Sequence, residues 1–303
     1  PTYLVETNIN NFVLRRKPPG KLLKSAHAVD RECRVMTALY DTDVPVPKTF
    51  GYCDDETVIG TPFFVMDHVV GNIYWELLLP GCDPNQRREI YLSMNDTIAK
   101  LHNVDFNKVN LADYGKHENY MGRQIHRWTK QYKDSETQMI PEINELIEWL
   151  PKNIPSDQET SIVHGDFRLD NMIFDPITHE VKAILDWELS TLGNPIADFT
   201  YHMMSWRLPA GAKGLGMMGS DLKSLNIPSE SEYAELYYKK TGREKIDNWD
   251  FYMAYNIFRL AGIAQGIVGR VRDGTASSSE AKNYEAFVPI LGKLGWSIVE
   301  GIK

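Results

Sequence analysis

At 303 residues the chain is long enough to bury a sizeable core, as one large domain or as two lobes. Apolar content of 43%, charged content of 24% and a net charge of −8 fit a globular protein and argue against nucleic acid or an anionic membrane surface as main partner. No run approaches the ~20 apolar residues of a membrane span, and Cys33, Cys53 and Cys82 are spaced too irregularly for a disulfide framework or a zinc site. Tyr3–Glu6 and Asn11–Arg16 read as short strands joined by a turn at Thr7–Asn10. Lys17-Pro18-Pro19-Gly20 ends the second, because neither proline can extend a ladder. Ala26–Tyr40 repeats apolar or small residues with helical spacing and carries Glu32 inside, and Pro45-Val46-Pro47 breaks it. Thr49–Asp54 and Pro62–Val65 read as two more strands around an acidic turn. Residues 1–67 therefore form a small antiparallel β lobe with one helix, and Asp67–Gly71 is the crossing to a larger, mainly helical lobe, residues 68–303. Within that second lobe Arg87–His102, Tyr120–Gln131 and Ile143–Leu150 have helical patterns. Ala197–Met204 starts another helix, Leu208–Gly219 is a loop, and Ser229–Gly242, Asn248–Arg270 and Ser277–Glu300 complete a helical end. The fold class is α+β.

The chemistry is concentrated in His164-Gly165-Asp166-Phe167-Arg168-Leu169-Asp170-Asn171, followed by Leu185-Asp186-Trp187-Glu188. Two apolar runs, Ser161–Val163 and Met172–Phe174, flank a polar turn, and the strand pattern Val181–Leu185 delivers a further carboxylate at its end. Asp166 can accept a proton from an attacking hydroxyl, while Asn171 and Asp186 offer hard oxygen ligands for Mg²⁺. An Asp, an Asn five residues on and a strand-borne Asp form the catalytic half of a protein-kinase-like phosphotransferase. His164 is an orienting residue, expected to hydrogen-bond backbone near the second Asp. Arg168 either steadies the transferred phosphate or the Asp166 carboxylate, or forms a plain surface ion pair. Asp198 is expected to cap a helix start, a structural role. In the small lobe a strand cation would touch the phosphates and pair with Glu32; alternation turns only one of Arg15 and Arg16 inward, and Arg15 is favoured, with Arg16 and Lys17 facing solvent. Met66, Asp67 and His68 can present backbone groups to an adenine ring. No phosphate-covering glycine loop is visible; the sequence begins at Pro1 rather than Met, and that loop is expected upstream of it.

With these residues in hand, the chain resembles the aminoglycoside phosphotransferase/choline kinase family of the protein-kinase-like fold. It is most similar to the branch that occurs as the kinase domain of acyl-CoA dehydrogenase family members ten and eleven. The likeness is carried by Phe12–Leu14 with Arg15-Arg16-Lys17-Pro18-Pro19-Gly20, by Ser25–Glu32, Val44–Pro47 and Ile59–Phe63, and by His164–Asn171, Leu185–Gly193 and Gly262–Gly274. It implies a bilobal fold, ATP and Mg²⁺ as cofactors, Asp166 as base, Asn171 and Asp186 as metal ligands, Arg15 on the phosphates and Glu32 as its partner. It also implies phosphorylation of a hydroxyl on a small molecule, with hydroxyacyl-CoA thioesters as the acceptor class and an attached or partner acyl-CoA dehydrogenase domain. Met217 and Met218 are candidates for an acyl-chain wall, and Arg123, Arg127, Lys130, Arg259, Gln265 and Arg270 for contacts to CoA phosphates. An ordinary loop and a solvated helix face are the plainer readings of those two groups.

Three other readings stay open. A kinase for an amino sugar or a choline-like cation would use the same core and an acidic pocket, to which Asp221, Glu230, Glu232 and Glu235 would contribute. A nucleotide-binding pseudokinase would have no use for an intact Asp166. A protein-substrate kinase is disfavoured because no D-F-G and no A-P-E frame an activation segment. The expected compartment is intracellular, the cytoplasm in a bacterium, since three unpaired cysteines suit a reducing environment.

Overall fold

A computed structural model describes residues 1–18, 28–156, 159–211, 214–245, 247–274 and 282–302. The expected Pro19-Gly20 strand end, the helix start at Ala26, the start of the last helix at Ser277 and part of the Leu208–Gly219 loop lie outside the described residues. In chain order the elements are strands β1 (Thr2–Glu6) and β2 (Asn11–Arg16), helix α1 (Val29–Leu39), strand β3 (Thr49–Cys53), the short α2 (Glu56–Ile59) and strand β4 (Phe63–Asp67). Helices α3 (Pro84–Asn103), α4 (Tyr120–Ser135) and α5 (Pro141–Trp149) follow, then strands β5 (Ser161–Val163), β6 (Met172–Phe174), β7 (Val181–Ile184) and β8 (Thr191–Gly193). The chain ends with helices α6 (Pro195–Met203), α7 (Leu222–Leu225), α8 (Glu230–Thr241), α9 (Trp249–Arg272) and α10 (Lys282–Ile302).

The chain divides into two compact units, each assembled from three separate stretches: residues 1–115, 161–192 and 219–244 in the first, and residues 116–160, 193–218 and 245–303 in the second. The first unit opens with an antiparallel sheet in the order β1-β2-β4-β3. Val13 lies opposite Met66 and Arg15 opposite Phe64, so strand alternation puts Val13, Arg15, Phe64 and Met66 on one face. Helix α1 packs on β3 and β4, and its Val29, Cys33, Val35, Met36 and Leu39 are buried. A four-residue helix replaces the acidic turn expected between β3 and β4: the Asp55 side chain accepts from Thr57 N–H, and Gly60, at φ 83°, closes it. Helix α3 begins with a reciprocal cap, in which Asp83 accepts from Asn85 and Gln86 N–H while the Gln86 side chain accepts from Asp83 N–H. Its Ile90, Met94, Ile98 and Leu101 are buried, and it packs on α8, where Asn95 donates to the Tyr233 carbonyl (2.8 Å) and His102 meets the Tyr237 hydroxyl (2.7 Å).

In the second unit α9 is buried over most of its length, and α4, α6 and α10 pack on it. Gly269 permits the approach of α4: a Cβ there would stand 2.8 Å from Ser135 Cβ. Residues 217 and 218 are tied down by backbone hydrogen bonds. Met217 N–H donates to the Ser205 carbonyl (2.8 Å), and Met217 is fully buried while Met218 is half exposed. No helix among the described residues is long and apolar enough to cross a membrane.

Candidate active site

Strand β5 ends at Val163, and the next eight residues alternate burial. Phe167 and Leu169 are buried, whereas Asp166, Arg168, Asp170 and Asn171 stay partly open. Burying two apolar side chains pins the loop and turns the polar set outward. Gly165 makes the turn possible, with φ 83° and no side chain to meet the Leu189 carbonyl, which a Cβ would approach to 2.8 Å. Gly165→Ala is therefore expected to cost about 2 kcal/mol of stability from backbone strain and crowding. A urea midpoint equal to that of the unchanged chain would refute this.

His164 is fully buried and its two ring nitrogens have opposite duties. The Asp166 N–H donates to Nδ1 (3.2 Å), so Nε2 carries the proton and donates to the Leu185 carbonyl (2.9 Å). The Trp187 ring lies 4.7 Å from the imidazole, and its Nε1–H donates to the Ile184 carbonyl (2.9 Å). His164 and Trp187 thus hold the two carbonyls that precede Asp186. Asp186 itself sits in the left-handed region (φ 62°, ψ 55°), a conformation a non-glycine residue adopts only when its surroundings enforce it.

Pairing of β6 with β7 brings the two halves of the motif together. Met172 lies opposite Ile184, and the Leu185 N–H donates to the Asn171 carbonyl (2.8 Å), which places Asp186 beside Asn171. The Asn171 amide donates from Nδ2 to the Asp166 carbonyl (2.9 Å) and to Asp166 Oδ2 (3.1 Å). With Nδ2 committed to Asp166, Asn171 Oδ1 is turned the other way. Arg168 Nη2 pairs with Asp170 Oδ2 (2.6 Å), and its Nε lies 3.5 Å from Asp166 Oδ1.

From the sheet, Arg15 joins this region. Its Nε and Nη2 grip Glu32 at 2.6 and 2.9 Å, and Nη2 also reaches Asp186 Oδ1 at 2.8 Å. Arg16 points to the other face, 5.9 Å from the Tyr3 ring centroid; it is half-buried rather than solvent-facing, with Nε out of contact with water. Burial pushes the Glu32 carboxyl upward against the pull of Arg15, and the Asp186 and Glu188 carboxylates add to the rise. Burial also works against the Arg15 charge, yet Glu32 and Asp186 outweigh it and the guanidinium is held more firmly protonated. The two shifts pull in opposite senses on one ion pair. The bidentate geometry decides for the charged form, and the pair serves to position groups more than to stabilise the fold. A cleft of about 200 Å³ is lined here by Arg15, Val29, Glu32, Asp186 and Glu188.

Sequence reasoning missed Glu188. Glu32, Asp186 and Glu188 each bring a carboxylate oxygen within 4.8 Å of the others, because the single helical turn Trp187–Leu189 folds Glu188 back. The Asp-Trp-Glu triplet was the available signal. Met66 is buried on the Arg15 face of the sheet, and His68 is exposed beyond the end of β4. The cap assigned to Asp198 belongs to another residue. Asn194 Oδ1 accepts from Ile196 and Ala197 N–H (both 2.9 Å) at the start of α6, and Asp198 is buried further along. An oxygen three residues ahead of a helical N–H reaches it, and one already inside the first turn does not.

Several candidates for a CoA site have internal duties. Arg123 donates to the Lys116 carbonyl (2.7 Å), Lys130 pairs with Asp134 (2.6 Å), and Gln265 donates to the Ser135 carbonyl (2.6 Å). Arg259 is buried with its guanidinium 4.2 Å from the Tyr201 ring centroid. In the proposed acidic set, Asp221 accepts from Ser224 at the start of α7 and Glu232 pairs with Arg88 (2.5 Å).

The sequence profile of the phosphotransferase enzyme family matches residues 1–235. The chain belongs to that family. This phosphotransferase is 45% identical over 297 residues to acyl-CoA dehydrogenase family member 10 of Mus musculus, an alignment covering 98% of the chain but 28% of the mouse protein. The chain therefore spans less than a third of that relative. A crystal structure from Ralstonia eutropha, described as a candidate aminoglycoside phosphotransferase, superposes with a TM-score of 0.93 at 47% identity, covering 99% of this chain and 89% of that one. A ternary complex of aminoglycoside phosphotransferase APH(4)-Ia with ADP and hygromycin B shares the fold at a TM-score of 0.62 and 11% identity, covering 98% of this chain and 90% of that one. The phosphotransferase has the expected α+β, protein-kinase-like fold.

Proposed function

We propose that the chain transfers the γ-phosphoryl group of ATP to a hydroxyl of a hydroxyacyl-CoA, in partnership with an acyl-CoA dehydrogenase domain. Residues 1–67 carry the nucleotide in this reading, and residues 68–303 carry the base and the acceptor. The observation that supports the transfer most directly is the Asn171 amide, which holds the Asp166 carboxylate through Nδ2. Asp166 then takes the proton from the attacking hydroxyl, and the Asn171 bond fixes the direction in which it is received. Arg15 places its cation on the phosphates while Glu32 keeps it in register.

The donor set fits Mg²⁺. Asn171 Oδ1 and the Asp186 carboxylate are hard oxygens on neighbouring backbone, and the left-handed backbone at Asp186 fixes where its side chain starts. Bound there, Mg²⁺ would offset charge on the phosphates. ADP in APH(4)-Ia supports nucleotide use by the shared fold.

The acceptor class rests on the dehydrogenase relative rather than on the side chains, since most residues considered for CoA are internally engaged. The same applies to an aminoglycoside or choline acceptor, which the Ralstonia eutropha neighbour favours, because Asp221 and Glu232 are committed within the fold. Product formation from ATP and Mg²⁺ is to be measured against 4-hydroxyacyl-CoAs, the free hydroxy acids, aminoglycosides and choline. Transfer to the thioesters alone is expected. Transfer confined to aminoglycosides or choline would replace the acceptor assignment, and nucleotide binding without any transfer would favour a pseudokinase.

A further inference from the structure

Arg15 touches two carboxylates, and it holds them unequally. Glu32 takes two nitrogens, Nε at 2.6 Å and Nη2 at 2.9 Å, and only 2% of its side chain is exposed. Asp186 takes one nitrogen, Nη2 at 2.8 Å, through one oxygen, and its side chain is 39% exposed. A guanidinium held in a fork by a buried carboxylate can leave a third acceptor without losing its anchor. The exchange cannot run the other way, because leaving Glu32 would strand a buried carboxylate with no cation on it. Asp186 cannot easily retreat either, since the two carbonyls before it are held by His164 and Trp187.

We infer that Arg15 is a built-in counter-cation on Asp186 Oδ1, which a divalent cation must displace, and that it yields readily only when phosphate oxygens take up its freed N–H. This rests on the reading of Asp186 as a metal ligand. A divalent cation arriving alone meets an oxygen already engaged and a positive charge beside it. Arriving with a nucleotide, it finds Arg15 drawn to the phosphates while Glu32 keeps its grip. Arg15 therefore couples cation affinity to nucleotide affinity, each raising the other by the same factor. Arginine suits this better than lysine, because the planar fork can hold Glu32 with one pair of N–H groups and exchange partners with the rest.

The test uses Mn²⁺ as probe, followed by the loss of its free-ion paramagnetic signal, with and without ADP, on the full chain. Arg15→Gln is expected to bind Mn²⁺ alone about tenfold more tightly than the unchanged chain, and the mutual enhancement between Mn²⁺ and ADP should fall towards one. Glu32→Gln is expected to weaken Mn²⁺ binding without ADP, because Arg15 then leans on Asp186 alone. Opposite directions in the two variants keep the test decisive if one of them folds poorly. Unchanged or weaker binding of Mn²⁺ alone by Arg15→Gln, with coupling to ADP intact, would overturn the inference. Loss of Mn²⁺–ADP binding in Asp186→Ala alongside that result would leave the metal reading standing. Failure of the unchanged chain to hold Mn²⁺ even with ADP would sink both.

Discussion

Asp166→Asn is expected to lower acceptor-dependent phosphoryl transfer by about 10²- to 10⁴-fold, the usual range for a lost general base. The substitution is nearly isosteric, and an Asn at this position can still accept the Asn171 hydrogen bond that spans 3.1 Å in the native chain. What it cannot do is accept a proton from the hydroxyl. Nucleotide affinity should therefore be preserved, because Arg15, Glu32 and Asp186 do not depend on Asp166 for their contacts with one another. Single-turnover rates separate the proton step from product release, and calorimetric titration with ADP checks binding. A variant retaining more than about a tenth of the native rate would reduce Asp166 to an orienting group. Asp166→Ala should add a second defect, because Asn171 then loses the carboxylate partner that sets its amide.

Acidification is expected to cost the fold about 3 kcal/mol through His202 alone, from a shift of roughly 2.5 pH units. His202 lies on α6, buried, with the Trp206 ring edge-on at 5.7 Å. Burial lowers its imidazole from 6.5 to about 4, against the opposing pull of the Asp198 carboxylate one turn earlier. The folded value is the depressed one, so the unfolded chain takes up the proton first. The contribution is complete above pH 6.5 and is lost as pH falls towards 4. Urea unfolding of the native chain and of His202→Gln at intervals across that window gives the comparison. The difference between the two profiles should shrink steadily towards acid; a constant difference would show that His202 is not the group being titrated.

Much of the fold was legible because its signals are local. The Asn11–Arg16 strand and the Tyr120 and Asn248 helices follow from spacing two or spacing three-and-four, and the structure places them within a few residues of those limits. Helices α2 and α7 were not, since four residues make too short a window for any period to show. The catalytic stretch was readable as a motif, but the tautomer of His164 was not; it depends on backbone groups two residues ahead and 21 residues later in the chain. Glu188 and Asn194 were missed for a related reason. One joins the site only through a single helical turn, and the other is defined by which N–H groups its oxygen can reach. Burial of Met217, Arg259 and His202 depends on neighbours distant in sequence, which no local pattern encodes.

The division of each compact unit into three stretches bears on how the protein is made. The first unit needs residues 219–244 and the second needs residues 245–303, so the ribosome must deliver four-fifths of the chain before either can close. At about 5–20 residues per second, the nascent chain spends many seconds with apolar strands and helix faces lacking their partners. The sheet of β1 to β4 can form early, since its strands lie within residues 2–67. The Asp166 loop cannot be shaped until β7 has emerged to pair with β6, and α3 waits for α8. Synthesis of this chain thus resembles a lacing operation in which the last threads tighten the first. A premature stop before residue 219 would leave both units short of one of their three stretches, with apolar faces exposed to chaperones and proteases.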